Sequence, residues 1–398
     1  MSTFKQRLLW SLQAIFLLSF IYLFYQQSNQ TSTQYNILDY GAQANRPSFD
    51  NAKIINQLIQ KIGKNGGTIY LPEGDFYIST PIVIDRSYVT IMGSNSGLRS
   101  GVDKGNDKSQ SGGGGARLLV SSGITGIELK DTDNSQRLSG ITLRHFQIKG
   151  EGNNGIGIHG NHDSDRIMID DLVITNVGTG IQLRGADAAV ITHSWIAETK
   201  SSIVLDGASQ QAQISNNALG AQPQGITIHM ENPRWANITG NNIFPNGATA
   251  IRLENAHQTV ISANTISAYF TGIIELMPNS NNERGQHNLI SNNVISLEKY
   301  QSHPEGRNIN WGIAHINADN TLFSNNQIVA KGIYKDFTAI QVEAGNINRI
   351  DHNNITSTVP SNRLVEISAS ANDTTVLNTV AKDTINDSGS HTKFVPLP

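Results

Sequence analysis

Hydrophobic and polar positions alternate over short stretches along most of the chain, and the alternation recurs. One unit reads apolar-x-x-Asn-x-apolar. It occurs as Ile214/Asn217/Leu219, Ile238/Asn241/Ile243, Ile261/Asn264/Ile266, Ile290/Asn293/Ile295, Phe323/Asn326/Ile328 and Ile350/Asn353/Ile355. Successive copies lie 24, 23, 29, 33 and 27 residues apart. Weaker copies begin at Leu143, Ile167 and Ile191, with 24 residues in each step. A second unit, apolar-x-apolar, alternates with the first: Ile181-Gln182-Leu183, Ile203-Val204-Leu205, Ile226-Thr227-Ile228, Ile251-Arg252-Leu253 and Ile340-Gln341-Val342. A period of roughly 23 residues holding two or three short strands is one lap of a solenoid. One lap cannot bury its apolar row alone; stacked laps can. The pattern predicts an all-β, right-handed parallel β-helix. The six Asn read as structural, hydrogen-bonded along the axis at turns that tolerate left-handed backbone.

The chain before the repeats differs. Ala52, Ile55, Leu58, Ile59 and Ile62 share one face at helical spacing, and Ser48 or Asp50 can cap that helix. An amphipathic helix there closes the open end of a solenoid, which is otherwise an exposed edge. Further upstream, Lys5 and Arg7 precede an apolar run from Leu8 to Tyr25. Such a run spans ~27 Å as a helix, enough for a bilayer. The basic flank favours a cytoplasmic N-terminus with the remainder exported. No small-x-small cleavage site follows in Gln26-Gln27-Ser28-Asn29-Gln30, so an uncleaved signal anchor fits better than a cleaved signal. The organisation expected is a membrane anchor over 1–25, a linker over 26–35 and the β-helix, with its N-terminal capping helix, over 36–398. The Gly-rich stretch 94–116 lacks a following Gly-Lys-Ser/Thr and reads as a surface loop, not a phosphate cradle.

Composition narrows the chemistry. Charged residues make up 15% and the net charge is −3 with no basic block, which argues against nucleic acid as a partner. There is no Cys, so disulfides and thiolate metal sites are excluded. The few charges collect beside the second unit. Arg184, Asp206, His229 and Glu254 follow Ile181, Ile203, Ile226 and Ile251; Arg252, Glu275 and Glu343 stand nearby. Read as one outward column, Asp206 and His229 fall one lap apart, about 5 Å, and Asp206 and Glu254 two laps, about 10 Å. Carboxyl pairs at such separations serve acid/base chemistry on glycosidic bonds. The plain alternative is a solvated face of ion pairs, Arg184–Asp206 and Arg252–Glu275. His145, His159 and His193 lack ligand spacing and read as surface or turn residues. Asp163, Asp165, Asp170 and Asp171 are too few oxygen ligands for Ca²⁺. No metal or other cofactor is expected. Trp195, Trp235, Trp311 and Phe244 could stack on sugar rings or cover apolar edges.

Several phrases resemble a known family. Ser87-Tyr88-Val89-Thr90-Ile91-Met92-Gly93, Arg137-Leu138-Ser139-Gly140-Ile141, Arg184-Gly185-Ala186-Asp187-Ala188, Ile196-Ala197-Glu198 and Gly240-Asn241-Asn242-Ile243-Phe244-Pro245 are similar to the inulin fructotransferases that form difructose anhydrides, and to their hydrolase relatives. Asp39-Tyr40-Gly41-Ala42 and Tyr70-Leu71-Pro72-Glu73-Gly74 resemble the cap of many pectate-lyase-like, polysaccharide-active solenoids. The resemblance implies a homotrimer of parallel β-helices acting on an oligo- or polysaccharide such as a fructan. It implies intramolecular transfer, in which a fructosyl hydroxyl attacks the neighbouring anomeric carbon without metal or water. The family's acidic pair is an Asp and a Glu in the stretch matching Leu219–Trp235. Here Gln224 stands at the Asp position, and Glu231 is the carboxylate that remains. Glu231, Asp206 and Glu254 are therefore the acid/base candidates. Arg184, His229, Arg252, Glu275 and Gln224 are the substrate-binding candidates. The rival readings are a non-catalytic, envelope-anchored glycan-binding protein and a uronan lyase or epimerase.

Overall fold

The computed structural model describes Ser19 and residues 34–97, 115–130, 137–221, 225–245, 249–268, 272–298, 311–331, 338–357 and 363–395. The chain separates into Met1–Gln34 and Tyr35–Pro398. The apolar run Leu8–Tyr25 lies, apart from Ser19, outside the described residues, as does most of the loop 94–116. Among the described residues no helix is long and apolar enough to cross a membrane.

Tyr35–Pro398 is a parallel β-solenoid. One lap shows the plan. Its three strands are Gln213–Ser215, Ala218–Ala221 and Ile226–Glu231. Each pairs in parallel with its counterpart on the laps before and after. Three ladders result, and the third runs through twelve strands from Ile82–Ile84 to Ile385–Asp387. Strand alternation sends every second side chain inward. Ile214, Ile238, Ile261, Ile290, Phe323 and Ile350 stack in register and are buried. The first unit of the sequence pattern is thus one column of the core.

Two register expectations fail by the same amount. The residue in line with Leu143 and Ile191 is Ile169, not Ile167. The residue in line with Ile203 and Ile251 is Ile228, not Ile226. A slip of two residues preserves the inward phase, so alternation cannot detect it; only pairing with neighbouring laps can.

The Asn ladder forms as expected. Asn217, Asn241, Asn264, Asn293, Asn326 and Asn353 are buried. Each side-chain oxygen accepts the backbone N–H of the lap before it, from Ser194 N to Asn217 at 2.9 Å through Asn326 N to Asn353 at 3.0 Å. Each amide also donates to a backbone carbonyl, as Asn241 Nδ2 does to Ile214 O at 2.9 Å. The left-handed residue is not the ladder Asn but the one before it: Asn216, Gly240, Ala263, Asn292, Asn325 and His352 all have positive φ. The turn places the Asn side chain under its own lap, where a carbonyl waits.

The capping helix spans Ala52–Lys61 and buries Ala52, Ile55, Leu58 and Ile59. Asn51 is the last non-helical residue and makes no side-chain cap bond. Asp50 supplies the cap, accepting Ala52 N at 3.2 Å, and also ties the helix to the first lap through Ser79 N at 3.1 Å and Thr80 Oγ1 at 2.7 Å. Burial pushes the Asp50 carboxyl up, but these donors outweigh it and hold it below the ordinary carboxylate range.

Candidate active site

The third ladder carries the charge. In Ile226–Glu231, Ile228 and Met230 point into the core, so His229 and Glu231 point out. In Thr249–Glu254, Ile251 and Leu253 point in, so Arg252 and Glu254 point out. Register sets His229 opposite Arg252 and Glu231 opposite Glu254. One lap earlier, Val204 lies opposite His229 and Leu205 opposite Met230, which brings Asp206 to Glu231.

The face therefore holds two columns rather than the one expected from sequence. The first runs Glu128, His159, Gln182, Val204, His229, Arg252, Glu275, His315. The second runs Arg184, Asp206, Glu231, Glu254, Met277. His229 belongs to the first, so the expected direct stack of Asp206 on His229 is corrected. The cause is the register shift that replaces Ile226 by Ile228.

The two columns meet at one point. His229 Nε2 lies 3.0 Å from Glu254 Oε1. One ligand atom from each of His229, Glu231 and Glu254 falls within 4.8 Å of the others, and all three residues are half-buried. Arg252 Nε is bonded to the Glu275 carboxylate, which is 2% exposed and accepts Thr249 Oγ1 at 3.3 Å. That ion pair was foreseen. The alternative pair, Arg184–Asp206, does not form among the described residues. Asp206 Oδ2 accepts Gln182 Nε2 at 3.1 Å, and Oδ1 is shut off from solvent without a partner. Arg184 is exposed. Gln224 lies outside the described residues. Glu343 bonds His315, which is 6% exposed.

Behind the carboxylates the turn is braced. Asn232 follows Glu231, and its Oδ1 accepts Asn255 Nδ2 at 2.8 Å and Asn279 Nδ2 at 3.0 Å. His257 Nε2 in turn donates to Asn255 Oδ1 at 3.0 Å. Burial, then the charges of Arg234 and His287, holds the His257 pKa below the usual imidazole value. Sequence reasoning passed over Asn232, Asn255, His257 and His315. The left-handed φ of Asn232 and Asn255 is the property that places Asn there, but Asn is common throughout this chain. His159 stands at the surface, in the first column. His145 and His193 are at left-handed turns, bonded to Asp171 at 2.8 Å and Asp170 at 3.0 Å, which accounts for those aspartates. Trp235 and Phe244 are exposed, Trp235 donating to Gln258 Oε1 at 2.6 Å.

A stacked parallel β-helix with a carboxylate-rich outer ladder defines the class: a pectate-lyase-like solenoid. Residues 34–113 match the rhamnogalacturonase A/epimerase, pectate lyase-like family. Residues 114–314 match the family described as periplasmic copper-binding protein (NosD), and the chain belongs to that family. The resemblance to inulin fructotransferases also holds. The chain is 27% identical to the inulin fructotransferase (DFA-I-forming) of Arthrobacter globiformis, over 92% of this chain and all of that one. The DFA-IIIase of Arthrobacter chlorophenolicus A6, without its lid and in complex with GF2, superposes with a TM-score of 0.82 at 21% identity, covering 92% of this chain and 100% of that one. The A-module of the Azotobacter vinelandii mannuronan C-5 epimerase AlgE6 has the same fold, with a TM-score of 0.66 at 13% identity, over 91% of this chain and 99% of that one. The family description names copper. Without Cys the chain offers no thiolate, but the nitrogen and carboxylate donors of His229, Glu231 and Glu254 suit a divalent ion in type and spacing.

Proposed function

We propose that the protein is a carbohydrate-active enzyme that rearranges a fructan-like glycan by intramolecular fructosyl transfer, or cleaves it by the related hydrolysis. The observation that carries this is the Glu231–Glu254 pair, opposed in register with His229 bonded to Glu254, in a chain related along 92% of its length to an inulin fructotransferase.

The chemistry asks little of the protein. A hydroxyl oxygen of one fructosyl unit bonds to its neighbour's anomeric carbon. The bond from that carbon to the bridging oxygen breaks. The departing oxygen takes a proton from one carboxylic acid, and the attacking hydroxyl gives its proton to a carboxylate. His229, donating from Nε2, orients Glu254 as the proton acceptor; Glu231 beside it is the proton donor. Inversion by water needs carboxyls roughly 6.5–9.5 Å apart. Ligand atoms within 4.8 Å of one another are closer than that, which argues against inversion by a water held between these two carboxylates. Asp206, one lap from Glu231, lines the same groove. Arg184 is free to meet hydroxyls, whereas Arg252 and Glu275 hold one another and shape the floor. Were a copper ion bound, His229, Glu231 and Glu254 would be its ligands, and its charge would hold both carboxylates ionised. The same reading has the β-helix exported, tethered through residues 1–25 and assembled as a homotrimer; the family's periplasmic description supports export.

A uronan epimerase or lyase would need cations facing an acidic polymer. This groove presents three carboxylates, and Arg252 is already engaged. The test is incubation of the protein with inulin, levan and uronans, followed by mass analysis. A disaccharide product lighter by one water marks anhydride formation. Glu231→Gln is expected to remove roughly a hundredfold of turnover with unchanged circular dichroism. Full turnover in that variant would remove Glu231 from the mechanism.

A further inference from the structure

We propose that His229, Glu231 and Glu254 form a binding site for a divalent first-row transition-metal ion, and that the ion competes with the glycan for these side chains. The competition rests on the reading above; the binding does not.

Three observations support it. The donors are of the right kind and close enough: one imidazole nitrogen and two carboxylate oxygens within 4.8 Å of one another. They sit on two paired strands of a solenoid, so their backbones are fixed by ladder hydrogen bonds rather than by a loop. The charge is unbalanced. Asp206, Glu231 and Glu254 occupy consecutive laps of one column, at roughly 4.8 Å per lap. Among the described residues no Lys or Arg forms an ion pair with any of the three: Glu254 has His229, Arg252 is taken by Glu275, and Arg184, in register with Asp206, is exposed and makes no ion pair with it. One lap before Glu231, the Oδ1 of Asp206 is shut off from solvent without a hydrogen-bond partner.

Imidazole with carboxylates selects Cu²⁺, Zn²⁺ or Ni²⁺ over Mg²⁺ and Ca²⁺, which take oxygen alone. Sequence spacing conceals the site. His229 and Glu231 are two residues apart on one strand, and Glu254 comes from the next lap, 25 residues beyond His229. A bound ion would hold both carboxylates ionised and occupied. Neither could then donate a proton to a leaving oxygen or accept one from a hydroxyl.

The experiment uses the full chain. Cu²⁺ is titrated in and followed by electron paramagnetic resonance, with Zn²⁺ binding followed by calorimetry. One Cu²⁺ per chain showing nitrogen splitting from a single imidazole is expected. His229→Gln should abolish that splitting, and Glu254→Gln should weaken Zn²⁺ at least tenfold. The exposed His391→Gln serves as control and should change neither. Nitrogen splitting retained in His229→Gln, or Cu²⁺ bound without fixed stoichiometry, is adventitious binding and overturns the site. Inulin turnover measured alongside should fall as the site fills and return with EDTA. Turnover unaffected by a filled site overturns the competition. His229-dependent binding without turnover on any glycan leaves the metal site standing and refutes the fructan reading instead.

Discussion

Removing one rung of the Asn ladder should cost several kcal/mol although it leaves no large cavity. In the native chain Asn264 Oδ1 accepts two bonds from the lap before, Asn241 N at 3.0 Å and Asn241 Nδ2 at 3.0 Å. Asn264 Nδ2 donates to Ile238 O and to Asn293 Oδ1, each at 3.0 Å. Asn264→Ala takes the acceptor from two donors of Asn241 and the side-chain donor from Ile238 O. The Asn241 side-chain donor keeps Ile214 O at 2.9 Å, but the backbone N–H has no other partner. Each buried group left unpaired costs about 1–3 kcal/mol. With the Asn241 N–H and the Ile238 carbonyl both affected, the expected loss is about 2–6 kcal/mol, and nearest-neighbour coupling in a solenoid passes it to the adjacent laps. Thr265→Ala is the control: Thr265 is exposed on the next position of the same lap, and its loss should stay within roughly 0.5 kcal/mol. Urea unfolding gives the stability, and amide hydrogen exchange gives the location, with the Asn241 N–H exchanging faster in Asn264→Ala. Equal midpoints for the two variants, with the Asn241 amide still protected, would refute the structural assignment of the ladder.

Arg252→Ala leaves Glu275, 2% exposed, without its guanidinium. Breaking a buried pair this way costs about 3–5 kcal/mol, so a clear fall in melting temperature is expected; an unchanged one removes the pair from the stability of the groove. His257, held low by burial, should titrate below an ordinary His in a pH series of NMR spectra. Its folded pKa lies under its unfolded one, so stability is full above the unfolded value, about 6.5, and declines as pH falls through the folded value. A midpoint at or above that of a model His would contradict the burial. Asp50, held below the ordinary range, stabilises the cap above its unfolded pKa of about 3.9, and that contribution is lost as pH falls through the lower folded value. Asp50→Asn should flatten this acid limb and lower stability at neutral pH; an unaltered limb would place the acid sensitivity elsewhere.

The sequence by itself determined the solenoid, the inward columns, the Asn ladder and the carbohydrate relationship. Ile and Asn at a repeated spacing can be satisfied only if laps stack, because each Ile row and each Asn amide needs the neighbouring lap as its partner. It also marked Asp206, Glu254 and His229 as candidates, since charges are scarce and fell beside one unit of the repeat, and Glu231 through the family resemblance. What the tertiary structure alone decided was which of these touch. Moving the aligned residue from Ile226 to Ile228 keeps every apolar side chain inward, so the chain's own pattern is blind to it. Yet that step carries Glu231 into line with Glu254 and moves His229 to the adjacent column, from which it reaches Glu254 diagonally. Burial period fixes the phase of a strand; hydrogen bonds between laps fix its register, and the chemistry of this face depends on the register.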